Sequence, residues 1–324
     1  MTIKNLVFEG GGVKGIAHIG ALKYMEEQHL LDNVENVIGS SVGSIIATGI
    51  AIGLTVDELQ KVIESMDFKK FADRDRGFLR NMYRFIYNGG VYKGDALERW
   101  IGDLLEKYCG KRNITFKEMY EKYGKLLVIT GTNIDKMRTL YFNKYNSPNM
   151  MVRKAIRISS SFPYLFKYVK YNGDTYVDGG LLDNYPFSYF HDYENTVGIK
   201  FINDDNVKDD IIYYTDREVN NVVKLSMNIV QSMLYQIERA HVHGKYWDNT
   251  IAINTGTISS MNFNLKEEDK TYLYNSGYNC AKMFFDNKDI ELVILDDNSK
   301  DDSNPHKELP PIDGEINGNG DYNI

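Results

Sequence analysis

The order of secondary-structure signals along the chain predicts an α/β fold built on a mostly parallel sheet. Short apolar runs at residues 4–9 and 34–38 are typical of buried strands. Each run is followed by a turn rich in small residues and then by a helical pattern, over 18–28 and 45–53. Repeated strand–turn–helix units place their strands side by side and in parallel, so we expect helices on the faces of the sheet.

Later patterns extend this sheet and its helical layers. Residues 55–125 are predicted to be mostly helical, and residues 168–177 are predicted to form a hairpin that turns at Asn172 and Gly173. The other strands are expected at 126–132, 139–143, 196–201 and 250–254, and the other helices at 152–159, 219–243 and 267–286.

Charge and cysteine content exclude several classes of protein. The formal net charge is -7, but residues 296–324 carry most of it, so the rest lacks the basic excess that nucleic-acid binding requires. Two cysteines form no disulfide framework, and no apolar run approaches the ~20 residues of a membrane span. With no signal-peptide pattern, we expect a cytoplasmic protein with one domain over 1–295 and a disordered acidic tail over 296–324.

The turn after the first strand is rich in glycine. It consists of Gly10, Gly11, Gly12, Val13, Lys14 and Gly15. Its glycine spacing fits the dinucleotide-binding fingerprint, but such a turn also aims backbone N–H groups at an anion or an oxyanion. The turn alone leaves open a nucleotide site, an oxyanion site and a turn without ligand. The next strand ends at residues 38–40 rather than at the acid that a nicotinamide cofactor requires, which argues against that cofactor.

The turn after the second strand contains a serine between two glycines. Gly39, Ser41 and Gly43 fit the G-x-S-x-G pattern at a strand-to-helix turn, where a strained serine projects above the sheet. The same residues also fit a serine-rich N-cap of the following helix. Since turns after neighbouring parallel strands lie side by side, we expect Ser41 beside the glycine-rich turn. Lys14 either positions that turn, offsets charge or has a purely structural role.

A serine nucleophile needs a base, which in many hydrolases is a histidine. None of the six histidines lies in an obvious glycine-flanked loop. Asp178 is a better candidate because it ends an apolar strand and precedes Gly179 and Gly180, so its carboxylate can reach a neighbouring loop. Taken in isolation, an ordinary Asp-Gly turn explains this segment better.

Together, these motifs resemble the patatin-like phospholipase family. The family has a G-G-G-x-[RK]-G turn, a G-x-S-x-G elbow and a later D-G-[GA] motif, which correspond to residues 10–15, 39–43 and 178–180. It also tends to carry a segment rich in alanine or serine, with a proline, before the aspartate, as at residues 159–163. The resemblance covers roughly residues 3–200.

The resemblance implies a patatin-like three-layer sandwich with a mostly parallel central sheet flanked by helices. It also implies a dyad of Ser41 and Asp178 without histidine, and an oxyanion hole around Gly11 and Gly12. The implied activity is hydrolysis of fatty-acyl esters in phospholipid or another acyl lipid, with no metal or other cofactor. Residues 205–295 match no family motif, so their role and any activating protein partner are open.

Contact with a membrane surface is expected to be peripheral. Residues 69–86 interleave basic and apolar side chains, a pattern typical of an amphipathic helix that lies on anionic lipid. A cover helix packed on the core with a solvated basic face explains the pattern slightly better. The candidate lipid contacts in this segment are Phe78, Met82, Arg80 and Arg84.

Two other functions remain open at this stage. A broader carboxylesterase or thioesterase would use the same dyad, since the motifs specify acyl transfer but not the acyl donor. A catalytically silent module that binds lipid or nucleotide would keep the turns without the chemistry. The acidic cluster at residues 204–210 lacks the glycine and final glutamate of an EF-hand, so we expect no metal site there.

Overall fold

The computed structural model describes residues 2–66, 68–71, 89–202, 225–226, 228–229, 232 and 246–286. It confirms the predicted α/β class, with a central sheet flanked by helices. The strands are β1 (Asn5–Phe8), β2 (Asn36–Gly39), β3 (Gly90–Tyr92), β4 (Leu126–Asn133), β5 (Arg138–Phe142), β6 (Tyr164–Phe166), β7 (Val169–Tyr171), β8 (Asp174–Asp178), β9 (Thr196–Ile202) and β10 (Thr250–Asn254). The helices are α1 (Gly15–Glu27), α2 (Val42–Ala51), α3 (Val56–Glu64), α4 (Phe68–Phe71), α5 (Asp95–Cys109), α6 (Phe116–Tyr123), α7 (Val152–Ser159), α8 (Gly180–Asp183) and α9 (Glu267–Phe285).

The main sheet has a parallel centre and an antiparallel margin. Its parallel part runs in the order β10, β9, β1, β2 and β4. The antiparallel strands β8 and β5 pair with β4, and β7 pairs with β8. The carboxyl ends of β1 and β2 therefore lie side by side, with the glycine-rich turn after one and Ser41 after the other. This is the arrangement that the repeated strand–turn–helix pattern predicts.

Strand β4 brings the end of β8 to the end of β2. Its residue Ile129 pairs with β2 on one edge and with β5 on the other, while Gly131 pairs with β5 and with Asp178 of β8. Strands β2 and β8 therefore pair with the same edge of β4, β2 with its first half and β8 with its second half. Because β8 runs antiparallel to β2, its last residue Asp178 meets the carboxyl end of β2 head-on, where Ser41 follows.

The two faces of the sheet bury alternate residues, as strand geometry requires. In β1, Leu6 and Phe8 join the large core beneath α1 and α2, whereas Val7 faces the opposite side. There it packs against a smaller aromatic cluster that includes Tyr185 and Phe187. The apolar run from Leu6 to Phe8 in β1 thus reflects burial on both faces.

Most predicted elements agree with the structure, and the elements that were not predicted are short. The hairpin turns at Asn172 and Gly173, whose φ angles of 49° and 86° are those of a type I′ turn. The pairing of β3 with β6 was not predicted, because three-residue strands carry almost no periodic signal. The predicted helix at 219–243 lies largely, and the tail at 296–324 entirely, outside the described residues, so the single domain over 1–295 stays a prediction.

Candidate active site

Ser41 occupies a tight, strained turn between β2 and α2. Its backbone has φ 49° and ψ -122°, a conformation that costs a residue other than glycine on the order of 1–3 kcal/mol. A β-carbon at Gly39 would overlap the carbonyl oxygen of Gly43, and one at Gly43 would overlap that of Phe8. Both flanking glycines of the motif are therefore required by the close approach of α2 to β1 and β2.

Asp178 lies against Ser41 in a buried environment. The Ser41 side chain interacts with the Asp178 carboxyl, and Asp178 is only 3% exposed. Burial raises the pKa of the Asp178 carboxyl from 3.8 to about 7, although hydrogen bonds from the Gly180 amide and from Ser41 act in the opposite direction. At neutral pH this carboxyl is therefore poised between its two protonation states, as a proton-transfer group needs to be.

The glycines after Asp178 hold its carboxylate in place. The Gly180 N–H donates to Asp178 Oδ1 at 2.8 Å, and a β-carbon at Gly179 would overlap Thr130 Oγ1 in β4. The N–H of Asp178 donates to the carbonyl oxygen of Ser161 at 3.0 Å. The Asp-Gly-Gly segment is thus a fitted support for the carboxylate rather than a free surface turn.

The end of α7 contacts both members of this pair. The N–H of Ser41 donates to Ser159 Oγ at 2.9 Å, while Ser161 holds the backbone of Asp178. The sequence indicates these serines only as part of the segment before the proline at 163.

The buried guanidinium of Arg157 fixes this end of α7. It donates to Ser161 Oγ and to the carbonyl oxygens of Lys93 at 2.6 Å and Lys167 at 3.0 Å. Sequence reasoning did not single out Arg157. The available signal was a charged residue between Ile156 and Ile158, both of which are buried.

The glycine-rich turn lies beside Ser41 and leaves two backbone amides unengaged. The N–H of Val13 donates to Ser260 and that of Lys14 to Gly11, at 3.2 and 3.1 Å. Within the part of the chain that the structure describes, the N–H groups of Gly11 and Gly12 have no acceptor. Two free amides next to a serine hydroxyl form an arrangement that can stabilise an oxyanion.

Asn184 is a further residue of this site that the sequence analysis missed. The N–H of Gly10 donates to the main-chain carbonyl oxygen of Asn184 at 3.1 Å, and the side-chain Nδ2 of Asn184 donates back to the Gly10 carbonyl oxygen at 3.0 Å. Asn184 therefore ties the glycine-rich turn to the helix that follows Asp178. The only sequence signal was an asparagine shortly after the Asp-Gly-Gly motif, and it was not sufficient.

The described histidines take no part in the site. His18 is buried and its Nε2 donates to the carbonyl oxygen of Glu9 at 2.9 Å, while burial lowers its pKa to about 4. His29 and His191 are exposed. Among the described residues, no histidine hydrogen-bonds to Ser41 or Asp178.

Two other expectations concern metal and lipid. The described ranges contain no cluster of three or more His, Cys, Asp or Glu side chains that could ligate a metal ion. They also contain no helix with the length and apolar character needed to cross a membrane. The candidate lipid contacts Phe78, Met82, Arg80 and Arg84, and the acidic cluster at 204–210, lie outside the described residues.

Comparison with known proteins points to one family. The sequence model of the family described as patatin-like phospholipase matches residues 6–191. The chain is 35% identical to uncharacterized protein R571 of Acanthamoeba polyphaga mimivirus, over 86% of this chain and 93% of that protein. It is 30% identical to probable lipid hydrolase 463L of Invertebrate iridescent virus 6, over 59% of this chain and 64% of that protein.

The fold also resembles a solved structure. VipD from Legionella pneumophila superposes with a TM-score of 0.61 over 89% of this chain and 67% of that chain. The sequences are 19% identical, so this likeness concerns the fold alone. It extends beyond residues 6–191, to the part of the chain that carries β9, β10 and α9.

Proposed function

The chain belongs to the patatin-like phospholipase family, and from that premise we propose that it is a lipid acyl hydrolase of the phospholipase A type. Ser41 is the nucleophile and Asp178 is the proton acceptor. Gly11 and Gly12 donate to the oxyanion, and Gly10, Val13, Lys14 and Gly15 complete the turn that holds them. The substrate class, phospholipid or another acyl lipid, rests on the family.

The juxtaposition of the Ser41 side chain with the buried carboxyl of Asp178 is the observation that carries this proposal. It brings a strained serine to a carboxyl whose pKa is raised to about 7, beside two unengaged backbone amides. A serine used only as an N-cap would accept a hydrogen bond from its own helix, but the Ser41 side chain makes no such cap.

The geometry suggests the following sequence of steps. Ser41 Oγ attacks the acyl carbonyl carbon while its proton passes to Asp178, and the Gly11 and Gly12 amides stabilise the negative oxygen. The alkoxide leaving group takes the proton from Asp178, which leaves an acyl-enzyme on Ser41. Water then attacks the acyl carbonyl, Asp178 accepts its proton, and Ser41 departs with a proton to release the fatty acid.

A serine-directed phosphonate distinguishes this proposal from a silent binding module. A fluorophosphonate should label the wild-type protein, and Ser41→Ala should abolish labelling. Ser40→Ala is the matched control, because the Ser40 hydroxyl is buried without a hydrogen-bond partner among the described residues and its removal disturbs little. Folded wild-type protein that is not labelled would favour the binding module.

The choice of acyl donor needs a separate panel. Phospholipid vesicles, triacylglycerol emulsion, an acyl thioester and a short-chain soluble ester should be compared, each with Ser41→Ala as the blank. Preference for vesicles supports the phospholipase, whereas preference for the thioester or the soluble ester supports the broader esterase or thioesterase. We expect the lipid contact to be peripheral, in the cytoplasm, with no nucleic-acid partner.

A further inference from the structure

Asn184 joins the two glycine motifs of the site. It follows α8, the short helix after Asp178, and it exchanges two hydrogen bonds with Gly10 across 174 positions of sequence. One bond runs from the Gly10 N–H to the main-chain carbonyl oxygen of Asn184, and the other from the side-chain Nδ2 of Asn184 to the Gly10 carbonyl oxygen. The backbone of Gly10 is therefore held at both of its polar groups.

The side-chain oxygen of Asn184 lies in the narrow space between the two motifs. A β-carbon at Gly10 would overlap Asn184 Oδ1 and lie 3.1 Å from Ser41 Cβ. A β-carbon at Gly180 would lie 2.5 Å from Asn184 Oδ1 and 3.1 Å from Asp178 Oδ1. The absence of side chains at both glycines thus makes room for the amide of Asn184 beside Ser41 and Asp178.

A run of three glycines does not hold its own shape. Glycine reaches many backbone conformations, so aligned N–H groups in this turn must be fixed by outside contacts. One contact is the Ser260 carbonyl oxygen, which binds the N–H of Val13 at the far end. Asn184 supplies the contact at the near end, at the residue just before Gly11.

We propose that Asn184 is a positioning residue for the acyl transfer at Ser41, which fixes Gly10 so that the Gly11 and Gly12 amides point at the oxyanion. This inference rests on the proposed function. An oxyanion hole lowers the barrier only when its donors are aligned before the reaction, so loosening Gly10 slows the chemical step more than it weakens substrate binding.

The amide is better suited to this position than a carboxylate. Aspartate at position 184 has nearly the same shape but cannot donate to the Gly10 carbonyl oxygen. Its charge would also lie next to Asp178 and near the developing oxyanion. A neighbouring negative charge raises the pKa of a carboxyl, so it would keep Asp178 protonated to higher pH.

The test compares Asn184→Ala and Asn184→Asp with wild type on a short-chain soluble ester. Asn184→Ala should lower kcat by roughly 100-fold, the effect of losing one oxyanion-hole donor, with KM within about threefold of wild type. The rate of fluorophosphonate labelling should fall in parallel, because the phosphonyl oxygen needs the same amides. Asn184→Asp should also shift the pH midpoint of kcat/KM upward.

Asn143→Ala is the matched control. Asn143 is buried whereas Asn184 is half-buried, and Asn143 Nδ2 donates to the Tyr141 carbonyl oxygen at 2.9 Å and to Tyr189 Oη at 3.1 Å but does not contact Gly10. The melting temperature of Asn143→Ala should fall by about as much as that of Asn184→Ala, while its kcat stays at the wild-type value. The near-isosteric Asn184→Asp covers the case in which Asn184→Ala does not fold.

The outcomes separate this inference from the proposed function. Suppose that the wild-type enzyme is active, that Asn184→Ala has the same kcat, and that Asn184→Asp has the same pH midpoint. This result overturns the role of Asn184 but not the proposed function. Equal loss of kcat in Asn143→Ala also overturns that role, since the effect would then follow stability. Wild-type protein that neither hydrolyses esters nor reacts with the phosphonate overturns the proposed function together with this inference.

Discussion

Glu9 and Lys200 form an ion pair whose two side chains are each only 2% exposed. Glu9 immediately precedes the glycine-rich turn, and Lys200 lies in the neighbouring strand β9. Glu9 Oε2 also accepts the N–H of Phe201 at 2.6 Å, and the Glu9 carbonyl oxygen bonds to His18. Every polar group of Glu9 is thereby compensated, so the base of the turn is fixed to β9.

Breaking this pair on one side should destabilise the fold strongly. Lys200→Met leaves Glu9 as an uncompensated buried charge, which typically costs about 3–5 kcal/mol. The free energy of unfolding in urea measures the loss. Glu9→Gln combined with Lys200→Met should recover much of it, because the double variant buries no charge.

A surface pair provides the control for this comparison. Lys111 and Glu118 are 53% and 40% exposed, so Lys111→Met should cost less than about 1 kcal/mol. If Lys200→Met cost no more than Lys111→Met, the buried pair would not be holding the base of the turn.

The rate of hydrolysis should depend on the ionisation of Asp178. Only the carboxylate can accept the Ser41 proton, and its pKa is raised to about 7. On a soluble ester, kcat/KM should therefore rise by roughly tenfold for each pH unit below that midpoint and level off above it. A midpoint near the ordinary carboxyl value of 3.8 would contradict the proposed role of the buried Asp178.

The same pKa makes a prediction about stability. Because burial raises the pKa of Asp178 in the folded state, its contribution to stability is fully present below 3.8 and is lost as pH rises through about 7. Above that pH the fold carries the cost of a buried carboxylate. Asp178→Asn removes this cost, so it should be more stable than wild type at about pH 8, by on the order of 1–3 kcal/mol, but not at about pH 4.

Asp57 gives the opposite trend and serves as the control. Its hydrogen bond with Lys23 lowers its pKa, so its contribution is present at neutral pH and is lost on acidification. Thermal melts across pH should show Asp57→Asn slightly below wild type at neutral pH and equal to it in acid. A gap between Asp178→Asn and wild type that does not change with pH would contradict the linkage argument.

Local patterns were sufficient to predict the parts of the site that depend on local backbone. The turns that follow β1 and β2 place Gly10 to Gly15 beside Ser41 simply because the two strands are adjacent and parallel. The type I′ hairpin at Asn172 and Gly173 is likewise encoded by two residues that tolerate positive φ.

The contacts that complete the site could not be predicted in the same way. The bond between Ser41 and Ser159 spans 118 positions, and that between Asn184 and Gly10 spans 174. Such pairs form because β2 and β8 both pair with the same edge of β4. The hydrophobic periodicity of the sequence does not indicate which distant strands pair. Taken alone, the sequence around Asp178 fits an ordinary Asp-Gly turn, and only the resemblance to the family pairs Asp178 with Ser41.

Helix α9 should prove necessary for the glycine-rich turn, although it lies beyond the residues that match the family. It crosses α1 at glycines, so that a β-carbon at Gly277 would overlap the carbonyl oxygen of Ala17, and one at Gly20 that of Tyr274. Because α1 begins at the last residue of the turn, separating the helices disturbs both the core and the oxyanion donors.

Gly277→Val should lower the free energy of unfolding by about 3 kcal/mol and reduce kcat on the soluble ester at a temperature where the variant is folded. Asn279→Val places the same side chain on the exposed face of α9 and controls for helix propensity, so equal losses in the two variants would refute the coupling.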